Sequence, residues 1–146
     1  MHKLFIISLV LLAGTSSASM FEYTAPRSVN AATAGVSRIV IIGRAGSLRV
    51  TGRAGTGEVR ATGTARVSDR ALLAPTQLVA QRAGTELRIE AVMPEDTGMF
   101  QQTALDFEVS LPNNIPVTVR DGSGELWISN TAELTVDDGS GALEIR

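Results

Sequence analysis

VTVRDGSGELWI, residues 117–128, recurs 17 residues later as LTVDDGSGALEI, residues 134–145. Eight of the twelve positions are identical, among them Thr118/Thr135, Val119/Val136, Asp121/Asp138, Gly124/Gly141, Leu126/Leu143 and Ile128/Ile145. A repeat of such short period marks a stacked architecture, because one unit cannot bury its apolar face alone. Within a unit, Asp-Gly-Ser-Gly joins two short strands. The glycines supply positive-φ backbone, and the Asp can bond its own turn amides. Val117, Val119, Leu126 and Ile128 point to one face, and Leu134, Val136, Leu143 and Ile145 are their equivalents. Stacking units about 4.8 Å apart would join these residues into a continuous core.

Upstream, Gly46-Ser47-Leu48-Arg49-Val50 and Gly57-Glu58-Val59-Arg60 echo the Gly-x-apolar-x pattern. Strands are predicted at Arg38–Ile42, Ser47–Thr51 and Glu58–Ser68, the last with a bulge or bend at Gly63. Asp69–Ala74 suits one helical turn stopped by Pro75. Gln77–Gln81 and Glu86–Val92 flank Arg82-Ala83-Gly84-Thr85 and suit a hairpin. Pro94–Gly98 reads as a loop. Leu105, Phe107, Val109 and Leu111 alternate with Asp106, Glu108 and Ser110 in a half-buried strand. The fold class is therefore all-β. A single-domain β-solenoid, or β-helix-like stack of short strands with Gly-rich turns, explains the in-register repeat best. An antiparallel meander or sandwich is the alternative.

EVSLPNNIPVTVRDGSGELWISNTAELTVDDGSG, residues 108–141, resembles the bacterial β-strand-repeat family of adhesin-type domains, a domain of unknown function with a strand-LP-strand-GSG-strand texture. The resemblance is strongest over Leu105–Arg146 and weaker over Arg38–Val92. It implies a β-helix-like exported protein and supplies no catalytic residues. Arg146 lies within a strand just after a full repeat, which leaves open further repeats or a cap beyond it; an uncapped end would be an exposed edge prone to pairing with another chain.

The N-terminus carries a different signal. Lys3 precedes the apolar run Leu4–Ala13, too short to span a bilayer, and Ser16-Ser17-Ala18 has the form of a cleavage site. The expected division is a signal peptide at 1–18, an irregular lead-in at 19–36 with a short strand near Phe21–Tyr23, and a β-repeat domain at 37–146. Leu12-Ala13-Gly14-Thr15 looks like a lipobox with Thr15 where the lipidated Cys would stand. The chain has no Cys, so no thioether lipid anchor can form there. The expected location is the periplasm or the extracellular space, not lipidated and without a transmembrane segment.

Cleavage after Ala18 would remove His2 and Lys3, the only His and the only Lys. The mature chain then lacks His general bases, Cys and Lys nucleophiles and the usual zinc ligands. No catalytic residue and no cofactor is assigned. Residues 19–88 carry ten Arg against four acids, and residues 89–146 carry Arg120 and Arg146 against eleven. Head-to-tail association would exploit that asymmetry. Neutralisation across strands of one small body is the simpler expectation, since screening limits surface charge to about 8–10 Å.

Trp127, the only Trp, stands at the repeat position of Glu144 and should face outward. An outward aromatic suits sugar stacking or a protein contact, or else covers a neighbouring coil. It is the partner-contact candidate. Asp121 and Asp138 would lie close together if the units stack in register, and Ca²⁺ could bridge them. Ordinary turn-capping Asp is the preferred reading and no metal is assigned, since the chain lacks the longer glycine-aspartate nonapeptide of Ca²⁺ solenoids. Acidic pairs at glycosidase spacing could arise anywhere on so acidic a face. Gly43-Arg-Ala-Gly46 and Gly52-Arg-Ala-Gly55 read as turns, and nucleic-acid binding has little support. The sequence thus predicts a non-enzymatic, adhesin-like binding or scaffold module for an envelope or surface component, glycan or protein. A small carboxylate enzyme acting on surface polysaccharide and a self-assembling structural protein are the alternatives.

Overall fold

A computed structural model describes residues 21–95 and 101–146. The predicted signal peptide and Leu12–Thr15 lie outside the described residues, as do residues 96–98 of the predicted loop. Eleven strands and one 3-10 turn make up the described chain. They are β1 (Tyr23–Ala32), β2 (Arg38–Ile42), β3 (Leu48–Arg53), β4 (Glu58–Val67), the 3-10 turn (Arg70–Leu72), β5 (Gln77–Ala83), β6 (Glu86–Val92), β7 (Thr103–Pro112), β8 (Val117–Ser123), β9 (Leu126–Ser129), β10 (Leu134–Ser140) and β11 (Leu143–Ile145). They form a six-stranded sheet, β1-β4-β7-β3-β9-β11, and a five-stranded sheet, β10-β8-β2-β6-β5. One apolar core lies between the sheets, with Ile39, Ile41 and Ile89 from one and Leu48, Leu111 and Ile128 from the other.

The repeat stacks as its period requires. β8 pairs with β10 and β9 with β11, both parallel, joining Val119 to Val136, Asp121 to Asp138 and Ile128 to Ile145. The Gly46 echo is a third layer: β2 pairs with β8 and β3 with β9, setting Leu48 beside Leu126. Each layer turns from one sheet to the other through four residues ending at Gly46, Gly124 or Gly141, with φ of 120°, 108° and 113°. A Cβ on Gly124 would stand 2.3 Å from the Gly46 carbonyl oxygen, and one on Gly141 2.0 Å from that of Gly124. The column of glycines is what lets the corners stack.

The whole is nevertheless a two-sheet sandwich rather than a solenoid. β6 and β7 follow β3 in sequence yet stack on the far side of β2 and β3 from the repeat. β4 and β5 run antiparallel to their neighbours. The reason lies in the turns. The turn at Gly55 (φ 72°) reverses the chain within one sheet and leaves the gap between β3 and β4 that β7 fills. The Gly57 echo consequently sits in an antiparallel strand outside the stack.

Two local expectations need correction. The described part of the expected irregular lead-in, residues 21–36, is mostly strand, because residues 23–32 form β1, paired along its length with β4. Its half-buried face is Tyr23, Ala25, Arg27, Val29 and Ala31, a period that small and charged residues conceal. Gly63 makes no bulge, since the register runs through it to Arg27 on one side and Phe107 on the other. A Cβ there would stand 2.1 Å from the Asp106 carbonyl oxygen and 2.6 Å from the Phe107 Cβ, so its role is to admit the close approach of β7.

The two ends of the sandwich differ. At one, the Arg27 side chain reaches across to the connection leading into β5, donating to the carbonyls of Thr76 (2.8 Å) and Leu73 (2.8 Å). Asp69 caps the 3-10 turn beside them through the Ala71 amide. At the other, β10 and β11 each have one neighbour among the described strands, and Leu143 and Ile145 are 44% and 51% exposed.

Candidate functional site

The core sets the outer face of the six-stranded sheet. Leu126 and Ile128 point inward and are buried, so Trp127 between them must point out. Strand register then aligns Thr62, Glu108, Arg49, Trp127 and Glu144 in one row across five strands. Trp127 is half-buried, with the Arg49 guanidinium 5.1 Å from its ring centroid. This is a cation–π distance, and it leaves part of the indole in solvent. Open depressions flank the ring. One, of about 570 Å³, is bordered by Arg49, Thr62, Thr64, Asp106, Glu108 and Trp127. The other, of about 230 Å³, is bordered by Thr51, Trp127, Ser129, Glu144 and Arg146. Arg146 pairs there with Glu144. An apolar ring set among hydroxyls, carboxylates and guanidiniums can stack on a flat ligand face and bond its rim.

Asp106 and Glu108 project from the same face of β7. Arg66 grips Asp106 at 2.6 and 3.2 Å, and the Ser47 amide donates to it at 2.8 Å. Burial pushes the Asp106 carboxyl up, but Arg66 and the Ser47 amide outweigh it and leave the pKa below the ordinary value. Asp106 is therefore ionised and occupied, and offers no proton to a leaving group.

Asp121 and Asp138 are brought together as register partners at the layer corner, away from Trp127. Asp121 is only 6% exposed. Both its carboxylate oxygens, and Oδ1 of Asp138, are buried without a hydrogen-bond partner. Burial, then the charge of Asp138, raises the Asp121 pKa to about 6, and the nearby Gly122 amide offsets only part of this. The corresponding corner of the next layer is Gly43, where a Cβ would stand 2.4 Å from Asp121 Oδ1. The missing side chain makes the room that the carboxylate fills.

The site residues that sequence reasoning passed over are Arg49 and Glu108. Arg49 was within reach: aligning GSLRV (46–50) with GELWI (124–128) and GALEI (141–145) puts Arg49, Trp127 and Glu144 in one column. Glu108 was not, because β7 enters the face by passing between β3 and β4.

No family model matches the sequence, and no curated protein matches it significantly. Solved structures show similarity to the chain. One, from Clostridium sporogenes and provisionally named a cell adhesion protein, superposes with a TM-score of 0.54 at 13% identity, over 84% of this chain and 59% of that one. A Parabacteroides distasonis protein, provisionally named as lipid-binding, gives a TM-score of 0.43 at 14% identity, over 79% of this chain and 46% of that one. A Bacteroides fragilis protein, provisionally named an adhesin, gives 0.38 at 13% identity, over 85% of this chain and 62% of that one. The chain thus spans less than two thirds of each. At 13% identity the superposition on the Clostridium sporogenes structure establishes a shared all-β fold and nothing finer.

Proposed function

We propose that this protein is an exported, non-enzymatic, adhesin-like module of the cell envelope that binds a surface component through the outer face of its six-stranded sheet. The observation that carries this reading is Trp127, held half-exposed by Arg49 between two depressions rimmed with hydroxyl and charged groups. A core residue has no need of that setting. A ring with hydrogen-bonding side chains on both sides suits a glycan, whose faces are apolar and whose edges are hydroxyls. The salt-bridged Asp106 argues against a carboxylate acid–base pair on this face. No helix among the described residues is long and apolar enough to cross a membrane. Export rests on the N-terminal sequence, and the fold shared with an adhesion-named structure agrees with a surface role.

Co-sedimentation of the purified protein with cell-envelope fractions tests this. Saturable binding that Trp127→Ala weakens about ten-fold or more, with unchanged thermal stability, is the expected result. Equal binding by wild type and variant would move the contact off this face.

A further inference from the structure

The corner formed by Asp121 and Asp138 has chemistry that the Trp127 face does not use. We infer that these two stacked carboxylates form a binding site for a divalent cation of the calcium class, which ties the outermost layer, β10–β11, to the layer beneath it. Three carboxylate oxygens there are buried and unpartnered, and Asp121 is more than nine-tenths buried. Buried carboxylates normally have hydrogen-bond donors or a cation, because desolvating a bare charge is costly. Around Asp121 stand Gly43, the Gly122 amide and Asp138, and the charge that acts on it is that of a second carboxylate. Arg44, at the next corner position, is not available: its guanidinium donates to the Ala91 carbonyl (3.0 Å) and Glu90 (3.3 Å).

The donor set is all oxygen, which selects calcium over softer metals. Asp138 is less buried than Asp121 and lies on β10, at the open end, which gives an ion its entry. Among the described residues no third acidic or His side chain joins the pair, so water and backbone oxygens complete the coordination. Two carboxylates and few protein ligands place the affinity in the weak range, at dissociation constants of roughly 10⁻⁴–10⁻³ M typical of extracellular modules. The site is independent of the adhesive reading: it joins layers, whereas Trp127 faces outward from the sheet.

The test is thermal unfolding of the purified protein at about pH 8, stripped with a chelator and titrated with CaCl₂. NaCl and MgCl₂ at matched ionic strength are the controls. The expected result is a Tm rise of about 2–5 °C that saturates near millimolar Ca²⁺ and exceeds that with Mg²⁺. Asp121→Asn/Asp138→Asn should be flat and, without calcium, at least as stable as the stripped wild type. Should that variant fail to fold, competition with a chromophoric chelator on wild type reads the stoichiometry directly, expected at one ion per chain. Asp138→Asn alone, at the more exposed position, should abolish it. No calcium response in wild type overturns the site. An equal response in the Asn variants overturns it too, by placing the ion elsewhere.

Discussion

Gly43, Asp121 and Asp138 occupy one corner in three successive layers, and each residue's chemistry depends on the layer beside it. Asp121 is raised from 3.8 to about 6, so the folded protein keeps a proton that the unfolded chain releases between those values. Its contribution is therefore complete below about pH 4 and lost as pH rises through 6. Asp106 has the opposite sign: its lowered pKa stabilises above the ordinary value and is lost as pH falls through the folded one. In chelator, denaturant unfolding should thus show stability falling by roughly 2–3 kcal/mol between about pH 4 and pH 8, and Asp121→Asn should remove most of that fall. Arg27 is the second residue whose role is decided by its neighbours. Two carbonyls at the closed end depend on its guanidinium, and Arg27→Ala should cost about 1–3 kcal/mol in the same measurement.

At the scale of elements, equivalent positions of the repeat should differ in energy because their layers differ in cover. Leu126 is fully buried and Leu143 is 44% exposed, though they share one place in the motif. Leu126→Ala should cost about 2–5 kcal/mol by equilibrium unfolding, and Leu143→Ala about 1 kcal/mol or less. The glycines make the matching contrast for the backbone. Gly124→Ala combines a φ of 108° with an oxygen 2.3 Å from the new Cβ and should prevent the layers from closing. Gly57→Ala meets nothing within 4 Å and should be close to neutral. Circular dichroism and melting of the two variants would show whether the glycine column, rather than turn flexibility in general, holds the stack.

Across the whole molecule, the charge asymmetry of the sequence is partly dissolved by topology. The acidic strand β7 lies between β4 and β3 of the Arg-rich half, and Arg66–Asp106 and Arg44–Glu90 join the halves within one body. What survives is a contrast between ends. Arg27 closes one, while the other presents two sheet edges with Leu143, Ile145, Asp137 and Glu144. Exposed edges recruit strands, so concentrated protein should associate through β10 and β11. Sedimentation velocity should show that association reduced by Ile145→Lys and untouched by Trp127→Ala, which separates edge pairing from the ligand face.

The 17-residue repeat was legible from sequence because parallel in-register stacking requires identical residues at identical positions. Its inward and outward faces, the outward Trp127 and the Asp121–Asp138 pair all follow from that one rule. So did the Leu105–Leu111 alternation, where hydropathy carries the period without interruption. β1 was hidden because Ala and Arg on its half-buried face leave almost no hydropathy signal. The sandwich topology was hidden for a different reason. Local residues determine whether a turn reverses the chain or crosses between sheets, but only long-range packing decides which strand fills the gap that a reversal leaves. That choice sets β7 beside β3, so tertiary structure alone brings Glu108 and Asp106 to the Trp127 face.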